Sequence, residues 1–248
     1  MLASTTSVEG SGLLAYILPK FTAKTSITVH VVAQGTGKAL DTARRGDADL
    51  LLVHDPEAEQ QFMDEGHGSK RRQIAWNDFI IIGPSADPAH VRGGGDCVAA
   101  LKAIATSQAP FVSRGDKSGT NAAELRLWKI AGQTPDLLIK QKWYRDIGGG
   151  MGQALNAASA MDAYTLSDRG SWLSFNNKRS LIVAVEGDPR LLNRYDVIEL
   201  DTQKHAGAKL AAAKVFADWL VSSDGQQAIG DYQVNGQKLF KPSAASPK

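Results

Sequence analysis

The 248-residue chain is predicted to be an α/β protein, with a largely parallel sheet covered by helices on both faces. Three observations predict this. Strand-like and helix-like segments alternate along the whole chain, and runs such as 50–53 and 79–82 are continuously apolar, as strands buried on two faces are. Gly, Pro, Ser and Thr cluster between the segments, where turns and helix starts belong. A helix at 10–18 follows Thr5-Thr6-Ser7. The alternating, β-branched stretch 27–33 is a strand, and Gly35-Thr36-Gly37 leads from it into a helix near 38–45. Strand 49–53 and helix 56–66 come next, then strand 76–83, closed by Pro84. A loop-rich stretch at 85–95 precedes helix 97–107 and strand 110–113. The turn at 114–119 opens helix 120–131, whose Leu125, Leu127, Trp128 and Ala131 share helical spacing. The glycine run 148–152 precedes helix 153–160. The remainder reads as strand 162–166, helix 169–175, strands 181–185 and 196–200, and helices 206–222 and 224–232.

Composition narrows the function. With 28 basic and 26 acidic residues, the net charge of +2 gives no global pull toward nucleic acid or an anionic membrane. An apolar content of 43% argues against disorder, and no apolar run approaches the ~20 residues that span a bilayer. Five His without ligand spacing and the single Cys97 exclude a disulfide framework and a Cys-rich zinc site, so no metal is expected. The chain opens Met1-Leu2 directly into Ala3-Ser4-Thr5-Thr6-Ser7, and no leader is read there.

Three loops share one grammar: strand, then Gly or hydroxyl residues, then helix. They are 5–7, 35–37 and 113–120. A helix start exposes unpaired N–H groups and partial positive charge, Ser and Thr add O–H donors, and Gly lets backbone approach a ligand closely. One such loop alone is an ordinary helix cap. Three together predict a donor-rich cage suited to an oxyanion. Arg114 directly follows a buried strand, where a guanidinium needs an anion or a carboxylate, and Asp116 is the nearby carboxylate.

Other chemistries are disfavoured. Gly35-Thr36-Gly37-Lys38 lacks the first Gly and the hydroxyl of a P-loop, and Gln153 breaks a dinucleotide fingerprint at 148–152. There is no HExxH and no GxSxG. His54, at a strand end, reads as structural.

The stretches STTSVEGSGLL (4–14), VVAQGTGKAL (31–40), GDADLLLVH (46–54), WNDFIIIGP (76–84) and FVSRGDKSGTNAAE (111–124) resemble the tungstate receptors of Tup-type ABC uptake systems. So do WYRDIGGGMGQAL (143–155), AYTLSDRGSW (163–172) and VEGDPRLLNRYDVI (185–198). These receptors are type II periplasmic binding proteins, related to molybdate and sulfate receptors. The resemblance implies a two-lobed fold with two crossover hinge strands near 82–84 and 183–186. Lobe 1 would be discontinuous, 1–83 and 184–248, and lobe 2 would be 84–183. The oxyanion would sit in the cleft between them. Its implied ligands are Thr6, Ser7, Thr36, Ser113, Arg114, Ser118, Gly119 and Thr120, with Met151 and Thr165 lining the site. Ser4, Gly10, Lys117 and Asn121 depart from the usual family residues.

The expected protein is a periplasmic, monomeric receptor that captures tungstate, with molybdate second, and docks on an ABC permease. It would use no cofactor, bind no nucleic acid and catalyse nothing, and its leader or lipid anchor would be absent from this chain. A phosphate or sulfate receptor on the same fold is the alternative, and an enzyme on that fold a more distant one.

Overall fold

A computed structural model describes residues 1–243. Contacts divide the chain into two compact units, Met1–Asn77 with Arg194–Lys248, and Asp78–Asn193. The expected crossings at 82–84 and 183–186 therefore fall inside the second unit. The reason is strand pairing: residues 79–84 hydrogen-bond to strands of that unit and so belong to its sheet. Residues 244–248 of the expected first lobe lie outside the described residues.

The first unit begins with β1 (Leu2–Thr5), α1 (Thr6–Gly10), α2 (Leu13–Thr25) and β2 (Val31–Gln34). It continues with α3 (Thr36–Arg44), β3 (Leu50–Val53), α4 (Pro56–Asp64) and the start of β4 (Gly68–Pro84). α2 runs through Pro19 where the sequence predicts a stop. Its buried Leu13, Leu14, Ile17 and Phe21 hold one face in the core on both sides of the proline, and that packing outweighs the lost hydrogen bond. β1 pairs in parallel with both β2 and β3. On β3, Leu50 and Leu52 enter one apolar cluster while Leu51 and Val53 enter another. The strand is thus buried on both faces, as its unbroken apolar run requires.

The second unit takes up β4 and adds α5 (Cys97–Ser107), β5 (Phe111–Ser113), α6 (Gly119–Ile130), α7 (Pro135–Leu138) and β6 (Tyr144–Asp146). It continues through α8 (Met151–Met161), β7 (Tyr164–Asp168), α9 (Arg169–Ser174) and β8 (Leu181–Val185) into β9 (Leu192–Leu200). Here β5 lies parallel between β6 and β7, and β4 pairs antiparallel with β7 and β8. This sheet too is covered twice, with Phe79 and Ile81 in one cluster and Ile80 and Ile82 in the other.

The chain returns to the first unit along β9, antiparallel to β3. It then forms α10 (Leu210–Val221), α11 (Ser223–Asp231), the hairpin of β10 (Gln233–Val234) and β11 (Gln237–Lys238), and β12 (Lys241–Pro242) against β4. The predicted α/β class holds, but the pairing is mixed rather than largely parallel, because the two strands that run between the units pair antiparallel with their neighbours, β9 with β3 and β4 with β7, β8 and β12. Among the described residues no helix is long and apolar enough to cross a membrane.

Candidate functional site

In the first unit, register gathers the candidate residues. Thr5 lies opposite Gln34 and Ser4 opposite Leu52, so the chain leaves β1, β2 and β3 at one edge of the sheet. Thr6-Ser7, Gly35-Thr36 and His54 follow directly at that edge. The Thr5 hydroxyl accepts the Val8 N–H at 3.2 Å and caps α1. Ser7 is half-buried, its Oγ 3.0 Å from Thr5 Oγ1 and 2.7 Å from His54 Nε2, while Thr6 is exposed. Thr36 opens α3 and is buried, and its Oγ1 has no hydrogen-bond partner.

In the second unit, the loop after β5 turns sharply. Gly115 has φ +63°, and a Cβ there would lie 1.5 Å from Asp146 Oδ1, so glycine is required. The Asn121 side chain braces this loop, its Oδ1 accepting the Lys117 N–H and its Nδ2 donating to Ser113 Oγ, both at 3.2 Å. Ser118 caps α6 by accepting the Asn121 N–H at 3.2 Å, which leaves the amides of Gly119 and Thr120 in the first turn with no acceptor inside the helix. The next loop is tied to this one, because Gly149 N–H donates to the Arg114 carbonyl at 2.8 Å. Met151, buried, begins α8 beyond it, and Thr165 on β7 pairs with Val112 of β5. Arg114, Ser118, Gly119, Thr120, Met151 and Thr165 are thus held on adjoining segments of one unit.

Ser113 departs from expectation. Its hydroxyl donates to Glu124 Oε2 at 2.8 Å while accepting from Asn121, so it is committed to the interior rather than to a ligand. Glu124 also accepts the Tyr144 hydroxyl at 2.7 Å. Burial pushes its carboxyl up to about 7, against the opposing pull of the Tyr144, Ser113 and Trp128 hydrogen bonds.

Arg114 is buried and pairs through Nη2 with Asp116 Oδ2, while its Nε has no partner. Asp116 Oδ1 accepts the Ser118 N–H at 3.2 Å. Burial works to raise the Asp116 carboxyl, but hydrogen bonds from Ser118 and the Arg114 charge prevail and hold it below the usual carboxylate range. The one acidic side chain of the loop is therefore ionised and already engaged by donors.

Buried side-chain atoms without a partner are costly and rare. Among the described residues they are Thr36 Oγ1, Glu59 Oε2, Arg72 Nε, Arg114 Nε, Thr120 Oγ1, Trp128 Nε1, Thr165 Oγ1 and Asp196 Oδ1. Glu59 and Asp196 act on each other: burial first, then the Asp196 charge and hydrogen bond, push the Glu59 carboxyl up to about 9. Trp128 lies against Glu124, and both terminal nitrogens of Arg72 are paired, with Glu199 and Asp218. Thr36, Arg114, Thr120 and Thr165 remain, each able to donate a hydrogen bond and each among the residues singled out from sequence. His54, read from sequence as structural, meets two hydroxyls that sequence spacing does not reveal, Thr5 of β1 and Ser7 of α1, which stand 49 and 47 positions away.

The PBP superfamily domain matches residues 1–224. The tungstate-binding protein TupA of Peptoclostridium acidaminophilum is 43% identical over 249 residues, covering 99% of this chain and 86% of that protein. The solved structure of the tungstate-binding protein TupA from Desulfovibrio alaskensis is 42% identical with a TM-score of 0.90, covering 99% of this chain and 98% of that one. A structure described as the tungstate ABC transporter from Geobacter sulfurreducens is 39% identical with a TM-score of 0.81, over 93% and 97% of the two chains.

Proposed function

Because the chain belongs to the PBP superfamily, and within it to the family of TupA tungstate-binding proteins, we propose that it is the receptor of an ABC uptake transporter, with tungstate as its ligand and molybdate second. The observation that carries the proposal is the set of buried donors lacking partners, Thr36, Arg114, Thr120 and Thr165. An anion accepting from them removes the cost of leaving them unpaired. The amides of Gly119 and Thr120 at the start of α6, the Ser118 hydroxyl, Thr6 and Ser7 complete the proposed set, and Met151 lines it.

The reading also accounts for selectivity. Tungstate and molybdate carry no proton at neutral pH and offer acceptors only, which an all-donor set satisfies. Phosphate keeps a proton that needs an acceptor, and Asp116, the carboxylate of the loop, is already taken by Arg114 and Ser118. Sulfate has matching charge but shorter bonds, so only the spacing of donors discriminates against it. The chemistry is capture without bond-making, and no cofactor enters it. The working place is then the periplasmic or outer face of a membrane, the partner is the permease, and one copy of the chain suffices.

Calorimetric titration of the purified chain with tungstate, molybdate, sulfate and phosphate tests this. Tungstate is expected to bind tightly and phosphate negligibly. Arg114→Ala should weaken tungstate binding by about 3 kcal/mol, roughly a hundredfold in Kd. Strong phosphate binding without a tungstate response would reject the reading.

A further inference from the structure

Three polar atoms at the edge of the first unit form a closed triangle. His54 Nε2 is 2.7 Å from Ser7 Oγ and 3.1 Å from Thr5 Oγ1, and the two hydroxyl oxygens are 3.0 Å apart. The ring of His54 is buried and packs on Tyr195 with centroids 5.1 Å apart. Thr5 is 2% exposed, its oxygen already accepting the Val8 N–H, whereas Ser7 is half-buried.

Counting protons decides what Ser7 can do. If Nε2 is bare, the triangle holds two hydroxyl protons for three edges. The ring accepts one of them, over its shortest edge from Ser7, and Thr5 donates the other to Ser7. Nothing is left to offer outward. If Nε2 carries a proton, three protons serve the same three edges, but the His54–Thr5 edge can no longer be filled by a hydroxyl, because Nε2–H accepts nothing. One proton is then surplus. Leaving it on Thr5 would strand a donor on an almost fully buried hydroxyl, so it resides on Ser7. Nε2–H and Thr5 O–H both point at Ser7 Oγ, and the Ser7 proton is turned out of the triangle.

We infer that His54 is a positioning residue of the anion site, whose Nε2-bound proton makes the Ser7 hydroxyl an outward donor. The inference rests on the reading of this chain as an oxyanion receptor and deepens it. His54 touches no ligand in this scheme. It fixes the direction of a hydrogen bond that would otherwise be spent inside the protein.

The test combines a spectroscopic and a binding readout on the full chain, with sodium tungstate as the probe. Long-range 1H–15N spectra, with His54 assigned by its loss in His54→Gln, should show the Nε2–H tautomer in the tungstate-bound protein. His54→Leu should weaken tungstate binding about tenfold, the value of one hydrogen bond to a charged acceptor. In a Ser7→Ala background the same substitution should cost less than about twofold, because the hydroxyl it orients is gone. His54→Gln, whose amide can donate to Ser7, should recover most of the loss and shows that the site still folds. An Nδ1–H tautomer in the bound state, or an equal cost of His54→Leu with and without Ser7, overturns the inference alone. No tungstate binding by the unsubstituted protein overturns the receptor reading and this inference with it.

Discussion

The threonine hydroxyls of Thr36, Thr120 and Thr165 are buried and unpaired, so each destabilises the ligand-free protein, and under the proposed function each strengthens the liganded one. A group that only packs cannot show both signs. Thr→Val keeps the shape and removes the hydroxyl. We therefore expect Thr36→Val, Thr120→Val and Thr165→Val each to raise ligand-free stability by about 1 kcal/mol. Each should also weaken tungstate binding tenfold or more, from a lost bond of about 1.5–3 kcal/mol to a charged acceptor. Denaturant unfolding without ligand and calorimetry with tungstate measure the two effects separately. Stability falling along with affinity would mean the hydroxyls have partners inside the protein. Ser113 provides the contrast, since its hydroxyl already serves Glu124 and Ser113→Ala would leave that buried carboxylate short of a donor.

At the scale of elements, the loop between β5 and α6 carries Arg114 and Ser118, and its shape depends on Gly115. The positive φ of Gly115 and its approach to Asp146 act together: β6 ends with the carboxylate that would collide with a Cβ. Gly115→Ala should cost about 1–2 kcal/mol from the left-handed backbone alone, and more from displacing Asp146, with loss of tungstate binding. Gly152 is the control. It lies exposed within α8 with nothing within 4 Å of an added Cβ, so Gly152→Ala should stabilise by about 0.5–1 kcal/mol. Thermal unfolding of both variants checks the pair, and equal effects would remove the special role given to Gly115.

The same elements mark what the sequence made legible. β3 and the second half of β4 were readable because their apolar runs are long enough to leave no doubt of burial. β6 was not, because only Tyr144 of its three residues is buried and Arg145 and Asp146 are exposed. The first half of β4 was missed because Ser69, Lys70 and Arg71 are exposed there, and charged, exposed residues carry no strand period. The three donor loops could be found from local grammar, since each needs only a strand end and a helix start. Hydroxyl directions could not. That of Ser113 is set by a glutamate on the following helix α6, and Ser7 lies beside a histidine after β3 that only the register of β1 on β3 brings close.

Across the whole molecule, each unit has its own pair of apolar clusters, so neither depends on the other for a core. Tungstate at 100 times its Kd stabilises the state that binds it by about 2.7 kcal/mol, which for a chain of this size raises Tm by roughly 5–10 °C. Phosphate at the same concentration should shift Tm by less than about 1 °C, since it gains no differential binding. The informative step is to repeat the scan at fixed tungstate with Thr36→Val, in the first unit, and Thr165→Val, in the second. If Thr36 and Thr165 both belong to the proposed donor set, each variant must reduce the shift on its own, because each lowers the affinity of the same bound state. A shift that Thr165→Val diminishes and Thr36→Val leaves intact would remove Thr36 from the proposed set. The unpaired hydroxyl of Thr36 would then need another partner.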